Sequence, residues 1–208
     1  MWKVSAIAGN ASGGLDTIGG WSESQIARFL QTGVNHSGIA FGSMSEVIVN
    51  STQYLTTEDA VATARYLKTV QGPLSTDRVQ FAYNERTDRK LASGDATDRG
   101  ALLYLDNCAA CHRPDGRGYE GVFPSLAGNP VVETANPLSL VSVVLLGSKT
   151  SRTPATPAQF SMPAFAWRLT DQDAADIVSF IRNSWGNDAA PIEAPTVAAL
   201  RSSRPDSN

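Results

Sequence analysis

The chain has 208 residues, of which 42% are hydrophobic, and its formal net charge at pH 7 is −3. This length allows one or two small domains with ordinary hydrophobic cores. The slight excess of acidic residues argues against a nucleic-acid-binding protein, and no apolar run is long enough to span a bilayer as a helix.

The first predicted helix begins after Ser22, a residue type that caps helix N-termini, and ends at Gly33. Before it, residues 1–20 are rich in Gly, Ser and Asn, which is typical of a loop. One face of the helix would carry Ile26, Phe29 and Leu30.

A second helix is predicted from Thr56, with Asp59 in its first turn, to just before Gly72. Its buried face would carry Ala60, Ala64 and Leu67. The stretch between the two helices, which contains His36 and Met44, is predicted to be irregular. Residues 75–94 are polar and charged, which suits a solvated linker.

Three further helices are predicted beyond the linker. Thr97 is placed to cap a helix that leads to Cys108, and Pro137 suits the first turn of a helix that ends at Gly147. Thr170 caps the last helix, whose apolar face follows helical spacing. That face carries Ala174, Ile177, Val178, Ile181 and Trp185. Residues 148–161 are predicted to be a loop, and the tail after Asn187 a draped or mobile arm.

Parts of the chain repeat in the same order. Residues 26–33 resemble residues 141–147, and a methionine, Met44 or Met162, follows in each case. The segment 55–60 (LTTEDA) then matches 169–174 (LTDQDA), and each copy leads into a helix. This order favours duplication, with the first copy lacking the half that would hold a Cys-x-x-Cys-His motif.

The only two cysteines of the chain, Cys108 and Cys111, are followed directly by His112. This Cys-x-x-Cys-His spacing is typical of c-type haem attachment, in which two thiols add to the vinyl groups of one haem and the imidazole reaches its iron. Such attachment normally takes place on the exported side of a membrane. No long apolar stretch follows Met1 as in a signal peptide, so we expect a mature chain, or part of one, without its leader.

Other functions of this motif remain open from the residues alone. A thioredoxin-like pair, and with it a thiol–disulfide oxidoreductase, normally accompanies a βαβ pattern, and none is recognised here. A structural zinc site needs four Cys or His ligands, and the only other histidine is His36, which is more typical of a surface residue. A structural disulfide across so short a loop would be strained.

Met162 is the candidate for a second axial ligand, because it lies fifty residues after His112 in a loop stiffened by Pro163. A neutral thioether ligand favours ferrous iron, although a buried methionine often serves only to fill a core. Pro124 is a turn proline whose carbonyl could orient the imidazole of His112, because ligating histidines bind an acceptor through their other ring nitrogen.

These residues resemble a class I cytochrome c, and more narrowly the tri-haem cytochrome c subunit of membrane-associated bacterial dehydrogenases. That group includes the subunits of alcohol, gluconate, sorbitol, fructose and FAD-dependent glucose dehydrogenases. The resemblance covers roughly residues 12–187. It is carried by five segments: Ile18–Ser22, Ser51–Leu55, Phe123–Asn129, Met162–Phe165 and Ile181–Asn187. The family has three attachment motifs and this chain has one, so we interpret it as an N-terminally shortened subunit.

The resemblance implies an all-α fold in which a class I cytochrome c domain follows the distal half of a second one. We predict a partial domain without a haem motif over residues 1–72 and a linker over 73–94. The domain with one covalent haem would occupy 95–187, and an extended tail 188–208. The cofactor-binding residues would be Cys108, Cys111, His112, Pro124 and Met162, with iron bound by His112 and Met162. We expect Met44 to lie away from any iron.

The family further implies an electron carrier that has no substrate catalysis of its own. Its donor would be an FAD- or PQQ-dependent catalytic dehydrogenase subunit, and its acceptor ubiquinone or another carrier. The expected location is the periplasm, at the outer face of the inner membrane. A haem enzyme or gas sensor with an exchangeable sixth ligand remains the alternative.

Overall fold

The computed structural model describes residues 21–36, 38–70 and 81–203, and within them the chain is mainly helical. Two short antiparallel hairpins pair β1 (Val34–Asn35) with β2 (Gly38–Ile39), and β3 (Ser148–Lys149) with β4 (Ser161–Met162). A 3₁₀ turn spans Thr52–Tyr54. The helices are α1 (Glu23–Thr32), α2 (Ser43–Asn50), α3 (Thr57–Val70), α4 (Arg86–Ala92), α5 (Arg99–Asn107), α6 (Ala109–His112), α7 (Pro130–Glu133), α8 (Leu138–Leu146), α9 (Asp171–Arg182) and α10 (Ala194–Ser202). The predicted all-α class is confirmed.

In the first unit, residues 21–70, α1 packs against α3. Ser22 caps α1 through a capping box with Gln25, and Gly33, in the left-handed conformation, ends the helix as predicted. Thr56 accepts a hydrogen bond from the Asp59 amide at the start of α3, also as predicted. The core of this unit is small and consists of Trp21, Ile26, Ala27, Ala60 and Ala64.

The segment between α1 and α3 was predicted to be irregular, and this was wrong. It contains the β1–β2 hairpin and α2. Helix α2 begins after Gly42, which has a positive φ and no side chain to cap the helix, so the usual N-terminal sequence signal is absent. The loop predicted over residues 1–20 and the glycine expected after the second helix, Gly72, lie outside the described residues.

In the second unit, residues 81–203, α5 crosses α9 at close range. A Cβ added to Gly100 would come within 2.4 Å of the Asp176 carbonyl oxygen, so glycine permits this crossing. Tyr104, Phe180 and Trp185 stack around it with ring centroids 5.2–5.6 Å apart. The predicted helices ending at Gly147 and beginning after Thr170 are present, but the α5 cap is Asp98 rather than Thr97.

The segment predicted as a solvated linker contains helix α4. Its charged side chains face solvent, while Leu91 is buried in the core of the second unit. The amide of Asn84 donates to the carbonyl of Trp185 at 2.9 Å, which fastens the chain just before α4. One buried residue in a polar stretch gives little periodic signal, which explains the error.

The tail predicted to be extended contains helix α10, so that part of the prediction was wrong. Val197 and Leu200 are buried in the main core. The buried guanidinium of Arg182 donates to the carbonyls of Val132, Thr134 and Ala190, which ties α9 to the start of the tail. Small residues and prolines concealed this packing in the sequence. The domain boundaries themselves remain a prediction.

The two units contact each other directly. Thr156 Oγ1 donates to the Thr32 carbonyl at 3.3 Å, and a Cβ on Gly33 would lie 2.8 Å from Ser151 Oγ. In the described ranges, no helix combines the length and the apolar character needed to cross a membrane.

Candidate cofactor site

A cavity of about 360 Å³ lies where the two units meet, and apolar side chains form most of its wall. All five residues predicted to bind a cofactor line it: Cys108, Cys111, His112, Pro124 and Met162. The first unit contributes a second part of the wall, which includes Phe29, Leu30, Ile39, Phe41, Met44 and Leu67.

The two thiols lie on one short turn of helix. Cys108 ends α5, and its carbonyl accepts hydrogen bonds from the amides of Cys111 and His112 at 3.2 and 2.9 Å. This winding forms α6 and places the cysteines three residues apart, so their side chains share one side of the turn. Both cysteines are free thiols, and both face the cavity.

The imidazole of His112 is oriented by the backbone. Its Nδ1 lies 3.0 Å from the carbonyl oxygen of Pro124. A carbonyl only accepts, so Nδ1 carries the proton and Nε2 keeps its lone pair. Burial lowers the pKa of His112, and the hydrogen bond to Pro124 opposes this only in part. The result is a neutral imidazole with one nitrogen available to a metal.

Met162 reaches the cavity from the β3–β4 hairpin. In this hairpin Met162 pairs with Ser148, and its backbone carbonyl lies against Gly147, where a Cβ would approach to 2.4 Å. The side chain is partly buried and packs against the main core. The backbone of Met162 is therefore held by the hairpin, and its thioether does not project from a free loop.

Burial raises the pKa of Cys108 to about 12, with a smaller contribution from Cys111. Reactive redox cysteines have lowered pKa values and are partly exposed, because the thiolate is the attacking species. Cys108 has the opposite character, which argues against the thiol–disulfide oxidoreductase alternative.

His36 does not line the cavity. Its Nδ1 lies 3.0 Å from the side-chain nitrogen of Gln25, at the surface of the first unit. Sequence reasoning missed the contribution of the first unit to the wall of the cavity. Met44, the counterpart of Met162 in the repeat, lines the same cavity, but a repeat predicts equivalent positions in two units and not a shared wall.

The family model for "Cytochrome c" matches residues 97–185, which include all five residues predicted to bind the cofactor. Residues 97–185 therefore belong to the cytochrome c family. The predicted class I cytochrome c fold is confirmed for this domain.

Three relatives resemble the chain over most of its length. The gluconate 2-dehydrogenase cytochrome c subunit of Pantoea cypripedii is 40% identical, over 96% of this chain and 45% of the relative. The alcohol dehydrogenase (quinone) cytochrome c subunit of Gluconacetobacter polyoxogenes is 43% identical, over 88% of this chain and 40% of the relative. The fructose dehydrogenase cytochrome subunit of Gluconobacter japonicus is 32% identical, over 96% of this chain and 44% of the relative. The chain thus spans less than half the length of these curated relatives.

A cytochrome c domain carries haem c covalently, and the residues of this cavity fit that group. Two free thiols, a neutral imidazole nitrogen and a thioether line one largely apolar space. They are the donor types that attach haem c and bind its iron.

Proposed function

We propose that the chain is an electron carrier, with one haem c attached to Cys108 and Cys111 and its iron bound by His112 and Met162. The observation that carries the proposal is the convergence of these four side chains on a single apolar cavity. Haem supplies the one-electron chemistry when bound, and the protein supplies attachment, axial ligands and exclusion of water.

Each residue has a defined task in this proposal. The thiols of Cys108 and Cys111 would hold haem through two thioether bonds, and His112 would bind iron through Nε2, because Nδ1 is engaged by Pro124. Met162 supplies a neutral sulfur ligand, which favours the ferrous state and raises the reduction potential. The apolar wall keeps the potential high by limiting access of water.

We propose further that the electron donor is the catalytic subunit of a flavin- or PQQ-dependent dehydrogenase, and that ubiquinone or another carrier is the acceptor. The support comes from the relatives, which are named as cytochrome subunits of gluconate, alcohol and fructose dehydrogenases. Covalent haem attachment favours the periplasm, at the outer face of the inner membrane, as the location.

The test is reduction of the haem by a partner. The isolated holoprotein should not oxidise gluconate, ethanol or fructose, because a haem carrier exchanges electrons with a partner and has no substrate chemistry of its own. Adding the catalytic subunit that co-purifies with the chain, together with its substrate, should reduce the haem at once. Substrate-dependent reduction of the haem in the isolated chain would contradict the proposal.

Carbon monoxide separates this function from the alternative of a haem enzyme or gas sensor. With Met162 bound to iron, no ligand position is open, so the spectrum of the reduced protein should not change when carbon monoxide is added. Rapid formation of a carbon monoxide complex in the native protein would favour the enzyme or sensor.

A further inference from the structure

Trp167 is the most exposed large hydrophobic side chain in the part of the chain that the structure describes. Its exposed fraction is 83%, and it lies five residues after Met162, between the β3–β4 hairpin and α9. A tryptophan side chain has a large apolar surface, and burying it stabilises a fold or an interface, whereas an exposed ring contributes no such stabilisation. Exposed aromatic side chains of this kind are typical anchors of protein–protein interfaces.

The backbone that carries Trp167 is held in place on both sides. The amide of Ala166 donates to the Leu145 carbonyl at 3.0 Å, and the amide of Leu169 donates to that of Phe165 at 2.9 Å. Arg201 of α10 donates to the carbonyls of Ala166 and Leu169 at 2.9 and 2.6 Å. The ring is therefore presented by a fixed turn, and its exposure does not result from a loose loop.

The chain segment that carries Trp167, residues 134–170, is basic although the whole chain is acidic, and the nearby Asp171 of α9 is paired with Arg201. No Asp or Glu occurs between Glu133 and Asp171, whereas Lys149, Arg152 and Arg168 lie in this interval. All three cations are exposed. None of them forms an ion pair with a carboxylate in the described ranges.

Two chain segments, residues 145–149 and 161–166, lie side by side near Trp167. Lys149 pairs with Ser161 in the β3–β4 hairpin, and farther along the same pair Ala166 is hydrogen bonded to Leu145. We call the exposed side chains of these segments, together with those of Trp167 and Arg168, the methionine face, because Met162 lies between its two ends. It consists of Leu146, Lys149, Ser161, Pro163, Ala164, Trp167 and Arg168.

We propose that the methionine face docks an acidic surface of the redox protein that exchanges electrons with this chain, with Trp167 as its anchor. The inference rests on the proposed electron-carrier function. Unpaired cations on this face would attract an acidic partner and raise the association rate, and the ring would be buried on contact. A partner seated here would lie next to the Met162 side of the haem cavity.

The observations favour a protein partner over a lipid surface. The face flanks Met162, the residue proposed to bind iron, so a redox protein seated on it would lie close to the cavity. The face presents one ring on a rigid turn and has no apolar helix face with which to enter a membrane.

The experiment measures electron exchange between the ferric holoprotein and a reduced flavodoxin, used as an acidic one-electron probe, by stopped flow. Trp167→Ala should lower the second-order rate constant about tenfold or more, the effect expected of an interface hot spot. The variant Arg168→Glu, which reverses an exposed cation outside the cavity, should also lower it and weaken its dependence on ionic strength.

Matched controls separate docking from damage. Tyr66→Ala removes another exposed aromatic ring, on α3, and Arg86→Glu with Lys90→Glu reverses two exposed cations on α4. Both should exchange electrons with flavodoxin at the wild-type rate. Oxidation of the ferrous haem by benzoquinone, a small neutral probe, should be the same in every variant.

Two results would overturn the inference. In the first, Trp167→Ala exchanges electrons with flavodoxin at the wild-type rate but loses binding to vesicles of phosphatidylcholine and phosphatidylglycerol, which assigns the face to lipid. In the second, Trp167→Ala and Tyr66→Ala slow the reaction equally, which denies any special role to this face. A wild-type holoprotein that reacts with neither flavodoxin nor benzoquinone would refute the carrier function itself.

Discussion

The α carbon of Gly118 lies directly against the carbonyl group of Pro124, which accepts the hydrogen bond from Nδ1 of His112. Gly118 has a φ of +59°, and a Cβ at this position would come within 2.6 Å of the Pro124 oxygen and 2.3 Å of the Phe123 oxygen. Because Gly118 has no side chain, the Pro124 carbonyl can lie within hydrogen-bond distance of the His112 imidazole.

Gly118→Ala should displace the Pro124 carbonyl, weaken its bond to His112 and shift the reduction potential. Its free energy of unfolding should fall by more than the ~1–3 kcal/mol that a strained left-handed residue costs alone. Gly121→Ala is the matched control, because Gly121 has a φ of +75° but no neighbour within 4 Å of an added Cβ. Urea unfolding and a redox titration check both variants. Equal effects in the two would show that the contact with Pro124 has no role.

Met162→Ala should open the sixth position of the iron. The ferric thioether–iron charge-transfer band should vanish, and the potential should fall by about a tenth or more of the ~0.8 V range that axial ligands span. Near-infrared absorption and a redox titration measure these effects.

Met44→Ala is the control for that variant, because Met44 lines the same cavity and we expect it to lie away from the iron. Met44→Ala should keep the band and the potential of the wild type. A band that survives in Met162→Ala and disappears in Met44→Ala would reverse the ligand assignment.

Haem content should be one per chain, because Cys108 and Cys111 are the only cysteines. Pyridine haemochrome content per chain and the intact mass of the denatured protein measure it. Replacing both cysteines by serine should leave a denatured chain without bound haem, whereas Asn107→Ala, next to the motif, should keep it. A second equivalent of haem would mean that the first unit captures haem by a route other than thioether bonds.

The sequence predicted best those features that depend on local chemistry. Ser22 and Thr170 were predicted as caps, and both form capping boxes. Five of the residues that line the cavity were singled out from a motif of five residues and from two loops. Pro124 was also predicted to orient His112, but only the structure shows that its carbonyl lies 3.0 Å from Nδ1 and so which ring nitrogen carries the proton.

The features that were missed depend on contacts between distant segments. α4 and α10 are short helices that each bury one or two apolar side chains, such as Leu91 and Leu200, in a core formed by other parts of the chain. Periodicity cannot detect so narrow a buried face. The closure of the cavity by the first unit was hidden for the same reason, since Phe41 and Met44 lie more than sixty residues before Cys108.

The capping box of α9 should make the stability of the cytochrome c domain depend on pH. The hydroxyl of Thr170 donates to Asp173 Oδ2 at 2.6 Å, and Arg99 pairs with the other carboxylate oxygen. These bonds, with that of Thr170 the largest contribution, hold the pKa of Asp173 below its usual range. A carboxylate with a lowered pKa stabilises the fold when it is ionised. Its contribution is therefore complete above the unfolded value of about 3.9 and is lost as the pH falls through the lower folded value.

Asp173→Asn should lower the free energy of unfolding by about 1 kcal/mol at neutral pH, because hydrogen bonds to a charged group contribute more than those to a neutral one and the pairing with Arg99 is lost. Urea unfolding of the holoprotein at a series of pH values measures the difference from the wild type. This difference should shrink below about pH 3.9, because the protonated aspartate then resembles asparagine. Asp106→Asn, at an exposed position of α5, should match the wild type throughout. A difference for Asp173→Asn that stays constant across the acid range would assign its effect to side-chain shape and not to the ionised carboxylate.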